Sequence, residues 1–361
     1  MITIRSRGLG LSLVRSLFVV SLLVPLGSTR ANNQADEDGF NRKGNTLIAD
    51  QFNNRVIEVD PSGKIVWQFG KGPADFSPAS IIGVNDAQRV GPLTLMAGTG
   101  TPGGQPEAPD CTNPAGCPDN RVLLVNRAGH IVWQYRQFGP GGNGPGQLNT
   151  PVQTTWLPNR HVLITDQANA RIIEVRVSDK QIVWEYDGLN NPNCAELLEN
   201  GHILICDENN NQALEVTHTT PSTVIHTYTM AGGMLFSGVA FASRLPDGHT
   251  LITDSNNNRV VETDEAGDVF FQYFTNTDPN STQRSTGPLP TRALRLRNGN
   301  TLISDQYNHR VIEVNPEGEI VSSFGKIATL GYDTKSVANG GLNSPYDAKR
   351  IGDYTGITPP F

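Results

Sequence analysis

Five aspartates recur at one position of a repeated polar loop, and their chemistry first suggests metal binding. Each is followed by an asparagine three residues later, and four copies add an arginine two residues beyond that. Aspartate and asparagine side chains bind metals through their oxygen atoms, but they also satisfy backbone N–H groups in turns. Because five copies argue against a single site, we favour a structural role and predict a belt of Asp–Arg bonds that joins neighbouring repeats. The predicted members are Asp50, Arg55, Asp166, Arg171, Asp254, Arg259, Asp305 and Arg310, and Gln212 interrupts the pattern.

Three histidines invite a catalytic interpretation because they occupy one equivalent position. His161, His202 and His249 each follow the first turn of a repeat, and asparagines fill that position in two other repeats. Equivalent positions on neighbouring repeats lie too far apart to share a metal ion at about 2.0–2.1 Å from each ligand. We therefore predict that they are turn residues. The chain also lacks the His-Glu-x-x-His, Gly-x-Ser-x-Gly and phosphate-binding glycine patterns.

Short strands, arranged in repeats, must position these residues. Five segments align around the aspartate loop, and a sixth copy is split into residues 94–98 and 121–135 by a long insertion. β-branched runs bounded by glycine and asparagine turns are strand signals. Four antiparallel strands in a repeat of roughly 40–50 residues are typical of a β-propeller blade. The sequence therefore predicts an all-β fold, and an open stack of repeats is the alternative.

The two ends of the chain indicate how the ring closes. The first repeat begins at Asn45 without a first strand, and residues 344–351 match the first strand of the second repeat. Pairing these segments would remove the open edges that an incomplete ring exposes. We predict a six-bladed β-propeller of four-stranded antiparallel blades, closed by the C-terminal strand, over residues 32–361.

The innermost strands supply the candidate ligand-binding positions. Aligning them brings six different residue types to one level of the axis, where a break in the repeat pattern marks a plausible site. Two carboxylates on adjacent blades, Asp86 and Asp347, are the candidate metal ligands, with Ca²⁺ as the cation considered. A solvated channel lining or interblade packing is the alternative. The six axial candidates are Asp86, Gln153, Cys194, Phe241, Arg292 and Asp347.

Two stretches resemble known propeller families. Residues 138–151, followed by the Leu-Ile-Thr-Asp-x-x-Asn-x-Arg-Ile segment, are similar to NHL-repeat propellers. The outer Ile-Val-Trp runs at Trp67, Trp133 and Trp184 resemble those of arylsulfotransferase-type and quinoprotein-type propellers. The resemblance implies a propeller fold, which hosts unrelated functions. An arylsulfotransferase-like activity would need a nucleophilic histidine facing the axis, and the inner strands contain none.

The N-terminus has the layout of a secretory signal peptide over residues 1–31. Arginines precede a ten-residue apolar run that is too short to span a bilayer, and small residues follow it. Without its four arginines the chain keeps 24 basic and 35 acidic residues, a formal net charge of −11. Such an acidic protein is a poor match for nucleic acid. We expect a secreted or periplasmic protein with no membrane span.

Export would permit disulfides among the four cysteines. Cys111 and Cys117 are expected to form a short staple inside the insertion at residues 99–118. Cys194 and Cys206 should lie directly opposite each other on adjacent strands, where a bridge and a free axial thiol both remain open. The insertion and the stretch at 275–290 are candidate binding loops or plain surface loops.

Three functions remain for an exported propeller of this kind, which we expect to be a monomer. The first is a binding module for a protein or glycan, with one face that carries the long loops. The second is a lyase or hydrolase assisted by a divalent cation at the axial channel. The third is an arylsulfotransferase-like transferase.

Overall fold

The computed structural model describes residues 39–144 and 146–353. The predicted signal peptide lies outside the described residues. Six four-stranded antiparallel sheets and one two-stranded hairpin make up the described part of the chain. In the described residues, no helix has the length and apolar character needed to cross a membrane.

Each blade is given below from its innermost to its outermost strand. The strands are, in blade 1, β26 (Pro345–Arg350), β1 (Thr46–Asp50), β2 (Arg55–Val59) and β3 (Ile65–Phe69); in blade 2, β4 (Val84–Val90), β5 (Leu93–Gly98), β6 (Arg121–Val125) and β7 (Ile131–Tyr135); in blade 3, β8 (Pro151–Trp156), β9 (His161–Asp166), β10 (Arg171–Arg176) and β11 (Ile182–Tyr186); in blade 4, β12 (Pro192–Leu197), β13 (Ile203–Asp207), β14 (Gln212–Val216) and β15 (Val224–Tyr228); in blade 5, β18 (Val239–Arg244), β19 (Thr250–Asp254), β20 (Arg259–Thr263) and β21 (Val269–Phe274); in blade 6, β22 (Pro290–Arg295), β23 (Thr301–Asp305), β24 (Arg310–Val314) and β25 (Ile320–Gly325). The hairpin β16 (Met230–Ala231) and β17 (Met234–Leu235) lies in the connection between blades 4 and 5. Short 3-10 turns follow the second strand of five blades, at Gln51–Asn53, Gln167–Asn169, Glu208–Asn210, Ser255–Asn257 and Gln306–Asn308.

The C-terminal strand closes the ring, which confirms both the six-bladed fold and its closure. β26 pairs antiparallel with β1, so that Asp347 lies opposite Ala49 and Ala348 opposite Ile48. Each innermost strand also contacts the innermost strand of the next blade, in the cyclic order of blades 1 to 6. Blades 1 and 4 are therefore diametrically opposite.

Apolar side chains on both surfaces of each sheet form the core between blades. Ile48 and Ile57 of blade 1 pack in one buried cluster with Leu302 and Val311 of blade 6. A sheet covered on both surfaces needs apolar residues at successive positions. The central strands are therefore continuous runs of apolar residues. The tryptophans of the Ile-Val-Trp runs reach the next blade, and Trp67 Nε1 donates to the Arg127 carbonyl over 2.8 Å.

The two ends of the ring differ in character. We call the end that carries the five 3-10 turns, the crossover segments between blades and the insertion at 99–118 the loop face. The opposite end, which we call the turn face, carries tight turns such as those at Gly201 and Gly248. On the loop face a disulfide joins Cys111 to Cys117. The insertion reaches the 275–289 crossover, where Glu107 forms an ion pair with Arg284.

The Asp–Arg pairs form, but the prediction that they join neighbouring blades was wrong. Each pair lies within one β-hairpin of one blade, at 2.8 Å for Asp50–Arg55 and Asp166–Arg171, 2.9 Å for Asp254–Arg259 and 2.7 Å for Asp305–Arg310. The pairing residues are adjacent in the strand register, as Asp50 lies opposite Arg55. Nη1 and Nη2 of Arg55 donate to the backbone carbonyls of Asp333 and Gly341, which belong to the crossover segment that leads into the same blade. Blade 2 has an equivalent ion pair between Arg121 and Asp119. The insertion replaces the repeated loop there, so the aspartate lies only two residues before the arginine.

The residue between the asparagine and the arginine of the repeat makes the bond to the next blade. It has a left-handed backbone, with φ of 49° at Asn54, a conformation that asparagine tolerates well. Its side-chain oxygen accepts from the backbone N–H that begins the next innermost strand, over 3.0 Å from Gly83. The same bond recurs from Thr150 to Asn120, Gly238 to Asn211, Leu289 to Asn258 and Ser344 to Nδ1 of His309. Blade 3 has Ala170 there and lacks an acceptor.

Glutamates supply one set of interblade ion pairs, which lies toward the turn face. Glu58 of blade 1 pairs with Arg89 of blade 2 at 2.6 Å. Equivalent pairs join Glu215 to Arg244, Glu262 to Arg295 and Glu313 to Arg350. The other oxygen of these glutamates binds the turn residue, so His202 Nδ1 lies 2.7 Å from Glu215 Oε1. His161 and His249 bind Glu174 and Glu262 in the same way.

Candidate functional site

The six axial candidates occupy equivalent positions, each one register step after the bulge of its innermost strand. All six are buried. Arg292 of blade 6 lies over the ring of Phe241 in blade 5, with 4.3 Å from its guanidinium carbon to the ring centroid. It also reaches Asp347 of blade 1 and Asp86 of blade 2, at 3.3 Å each. These side chains fill the centre of the ring at this level.

Asp86 and Asp347 come together, but a lysine already lies between them. Nζ of Lys349 is 2.7 Å from Oδ1 of Asp86 and also contacts Oδ2 of Asp347. Ca²⁺ requires six to eight oxygen ligands, whereas these two carboxylates face two cationic side chains. The residues present do not fit a divalent cation. Burial raises the pKa of Asp86, the neighbouring Lys349 opposes that shift, and Asp347 adds to it.

Three of the axial side chains also bond to the next blade. Oδ2 of Asp347 accepts from the N–H of Ala87 over 3.2 Å, and Oδ2 of Asp86 accepts from Thr154 over 3.2 Å. Oε1 of Gln153 accepts from Ala195 over 3.0 Å. The axial level therefore holds neighbouring blades together.

Cys194 has no free thiol, because it forms a disulfide with Cys206 directly across the strand pair. The sequence had left the bridge and the free thiol open. The bond removes a nucleophile from the axial level.

The bulged positions just before the axial candidates lie nearer the loop face, and among them only Tyr346 is partly exposed. Tyr346 of blade 1 crosses the axis, and its hydroxyl donates to Oδ1 of Asn193 in blade 4 over 3.1 Å. Nδ2 of Asn193 in turn donates to Oε2 of Glu208 over 2.9 Å. Tyr346 and Glu208 are both half-buried. We call Glu208, Asn191, Asn193 and Tyr346 the axial mouth.

The carboxyl group of Glu208 differs electrostatically from the other acids near the axis. Burial raises its pKa to about 6, although hydrogen bonds from Asn193 and Asn191 oppose the shift. Burial and the nearby charge of Glu208 raise the pKa of the Tyr346 phenol. Within the described ranges, no lysine, arginine or histidine forms an ion pair with Glu208. The mouth thus holds a carboxyl group that titrates close to neutral pH.

Sequence reasoning missed the axial mouth, although one signal was present. The residue directly after the repeated aspartate is Gln51, Gln167, Ser255 or Gln306 in four blades and Glu208 in blade 4. A charged residue at an otherwise neutral repeat position could have identified Glu208. Tyr346 gave no such signal, because its partner lies on the opposite blade.

The loop face also carries an open depression beside blade 5. Its volume is about 670 Å³, and the 275–289 crossover forms most of its wall. Amide and hydroxyl side chains dominate the lining, together with Asp278 and Arg284. The polar lining includes Asn256, Asn258, Asn276, Ser281, Thr282, Gln283, Ser285 and Thr286. One of the two loops proposed from the sequence therefore borders a concave surface.

Comparison with known proteins supports the fold. No protein-family model and no curated protein matches the chain. A protein of unknown function from Bacteroides caccae superimposes with a TM-score of 0.55 at 13% identity, covering 80% of this chain and 98% of the other. Virginiamycin B lyase from Staphylococcus aureus gives a TM-score of 0.45 at 15% identity, covering 68% and 70%. A streptogramin B lyase structure gives 0.44 at 14% identity, covering 79% and 74%. The similarity to the Bacteroides caccae protein shows a shared fold and does not indicate an activity for this chain.

Proposed function

We propose that the chain is an exported, NHL-like binding module that recognises a glycan with its loop face. The observation that carries the proposal is the depression beside blade 5, whose lining is mostly amide and hydroxyl groups. Sugar hydroxyls both donate and accept hydrogen bonds, as do amide and hydroxyl side chains. Sites for small drug-like molecules are lined mainly by apolar groups, so this lining favours a carbohydrate. Two disulfides are compatible with an oxidising, extracellular location.

The structural use of the repeated charged residues supports a binding role over catalysis. The repeated aspartates, glutamates and turn histidines bond within the scaffold. The cation-assisted lyase or hydrolase considered from the sequence has less support, since Lys349 and Arg292 contact the carboxylates it would use.

A glycan array probed with the purified chain tests the proposal. The variants Asn256→Ala and Gln283→Ala remove amide groups from the depression. Asn209→Ala is the matched control, because Asn209 occupies the position of Asn256 in the 3-10 turn of blade 4. We expect saturable binding of a defined glycan, at least tenfold weaker in each depression variant and unchanged in the control.

Failure of the wild-type chain to bind any glycan would reject the proposal, as would equal binding by all variants. Capture of a defined protein at the depression, with no glycan bound, would instead establish the other ligand class that the sequence left open. Thermal unfolding of each variant checks that lost binding is not lost folding.

A further inference from the structure

We propose that the axial mouth is a separate binding site for a primary ammonium group, with Glu208 as the anchoring carboxylate. The axial mouth and the depression lie on the same face but share no lining residue. The proposal therefore goes beyond glycan recognition at the depression and can fail independently of it.

The carboxyl group of Glu208 is held in a defined orientation with one oxygen available. Nδ2 of Asn191 and Nδ2 of Asn193 both donate to Oε2, each over 2.9 Å. Oε1 accepts no hydrogen bond from the described part of the chain, and the residue is half-buried. An oriented carboxylate with a free oxygen is prepared to accept a charge-assisted hydrogen bond.

Tyr346 supplies an aromatic surface at the same place. Its hydroxyl is fixed by Asn193, so a chain of two hydrogen bonds runs from blade 1 across the axis to Glu208 in blade 4. Burial and the nearby charge of Glu208 raise the pKa of the Tyr346 phenol. A cation within about 6 Å of an aromatic ring centroid gains further attraction from the ring.

The charge distribution of the propeller favours a cation from outside the chain. Buried glutamates such as Glu58 and Glu262 bond to arginines of the next blade. Glu208 has no such partner among the described residues, although burial raises its pKa only to about 6. It is therefore ionised at neutral pH without an internal counter-charge. Since a desolvated charge is costly until it is paired, an ammonium group would relieve that cost.

Titration with small amines tests recognition of the ammonium charge separately from recognition of the rest of the ligand. The probes are D-glucosamine, its neutral counterpart N-acetyl-D-glucosamine, and Nα-acetyl-lysine amide, measured by calorimetry or by NMR shifts at pH 7. We expect saturable binding of at least one amine that depends on Glu208, whereas any N-acetyl-D-glucosamine bound at the depression should be unaffected by Glu208→Gln. Binding of glucosamine alone identifies an amino sugar as the source of the amine, and binding of the lysine derivative alone identifies a protein side chain. Equal binding shows that the site recognises the ammonium group itself.

Glu208→Gln should weaken amine binding at least tenfold. Glu199→Gln is the matched control, because it removes the same charge from an exposed turn of the same blade on the turn face. Lysine amine groups stay protonated up to about pH 10, so binding of the lysine derivative also reports ionisation of Glu208. It should fall about tenfold between pH 7 and pH 5, as expected for a group with a pKa of about 6.

The pH series uses the wild-type chain and remains decisive if Glu208→Gln does not fold. Amine affinity unchanged in Glu208→Gln, binding of the lysine derivative that does not fall between pH 7 and pH 5, or no saturable amine binding would each overturn the proposal. The two tests remain independent, because amine binding is judged by its dependence on Glu208 and glycan binding by its dependence on Asn256 and Gln283.

Discussion

Nζ of Lys349 lies 2.7 Å from Oδ1 of Asp86, and the bond crosses from blade 1 to blade 2 beside the axis of the ring. The same ammonium group contacts Asp347, and it donates to the carbonyl of Ala87 over 2.9 Å. Together with Arg292, Lys349 is thus an internal counter-ion for two buried carboxylates. It also belongs to the strand that closes the ring, so the charge balance at the axis depends on closure.

Replacing Lys349 with methionine should strongly destabilise the fold. Removing one partner of a buried ion pair costs roughly 3–5 kcal/mol, because it leaves an uncompensated charge. Urea denaturation at pH 7 measures the loss. Lys335→Met is the control, since Lys335 is exposed and does not pair with a carboxylate in the described residues. A loss below about 1 kcal/mol would show that Lys349 is not the essential counter-ion.

The sequence was sufficient to predict the ring but not the bonds between its blades. The repeats make the fold predictable, because Ile48 and its equivalents must be buried in every blade. The first repeat lacks an innermost strand, and residues 345–350 could supply it by pairing with β1. The partner of a polar side chain depends on how crossover segments approach it. For that reason Asp50 and Arg55 were correctly paired while their role between blades was not.

The axial site was predictable only in position. Alignment brought Asp86, Arg292 and Asp347 to one level, as the register shows. Lys349 was overlooked because it lies two residues beyond the aligned position. Its ammonium group nevertheless contacts the same carboxylates. Tyr346 contacts the blade on the far side of the ring, and no local pattern encodes a contact across the axis.

Ala170→Asn should stabilise blade 3 against blade 4. Ala170 has the left-handed backbone of its equivalents, with φ of 57°, but it offers no side-chain acceptor for the next blade. Asparagine tolerates this backbone and would accept from the N–H of Asn191, as Asn54 does from Gly83. We expect a gain of about 1 kcal/mol by urea denaturation. Ala168→Asn, two residues earlier in the same loop, should give no gain, and an equal effect of both variants would contradict the explanation.

His309→Asn should make the protein less sensitive to acid. Burial lowers the pKa of His309 to about 4, and its neutral Nδ1 accepts from the N–H of Ser344. The unfolded chain takes up this proton near pH 6.5, so the free energy of unfolding falls as pH decreases from 6.5 toward 4, by about 3 kcal/mol in total. Asparagine keeps the acceptor without the proton. The variant should match wild type at pH 7 in urea denaturation and exceed it at pH 4.5; an equal loss in both would assign the acid sensitivity elsewhere.

Glu208→Gln should stabilise the protein at neutral pH while it removes the proposed amine site. The pKa of Glu208 is raised from 4.5 to about 6, so the ionised group opposes folding above pH 6, and this cost disappears below pH 4.5. The difference corresponds to about 2 kcal/mol at pH 7.5. Urea denaturation should therefore show a gain at pH 7.5 and none at pH 4, with Glu199→Gln unchanged at both. A bound amine should narrow the gap at pH 7.5, because a ligand that binds only the folded wild type stabilises it by mass action. If Glu208→Gln is instead less stable than wild type at pH 7.5, the ionised carboxylate stabilises the folded chain. It would then not be an unpaired charge that lowers the free energy of unfolding until a ligand binds.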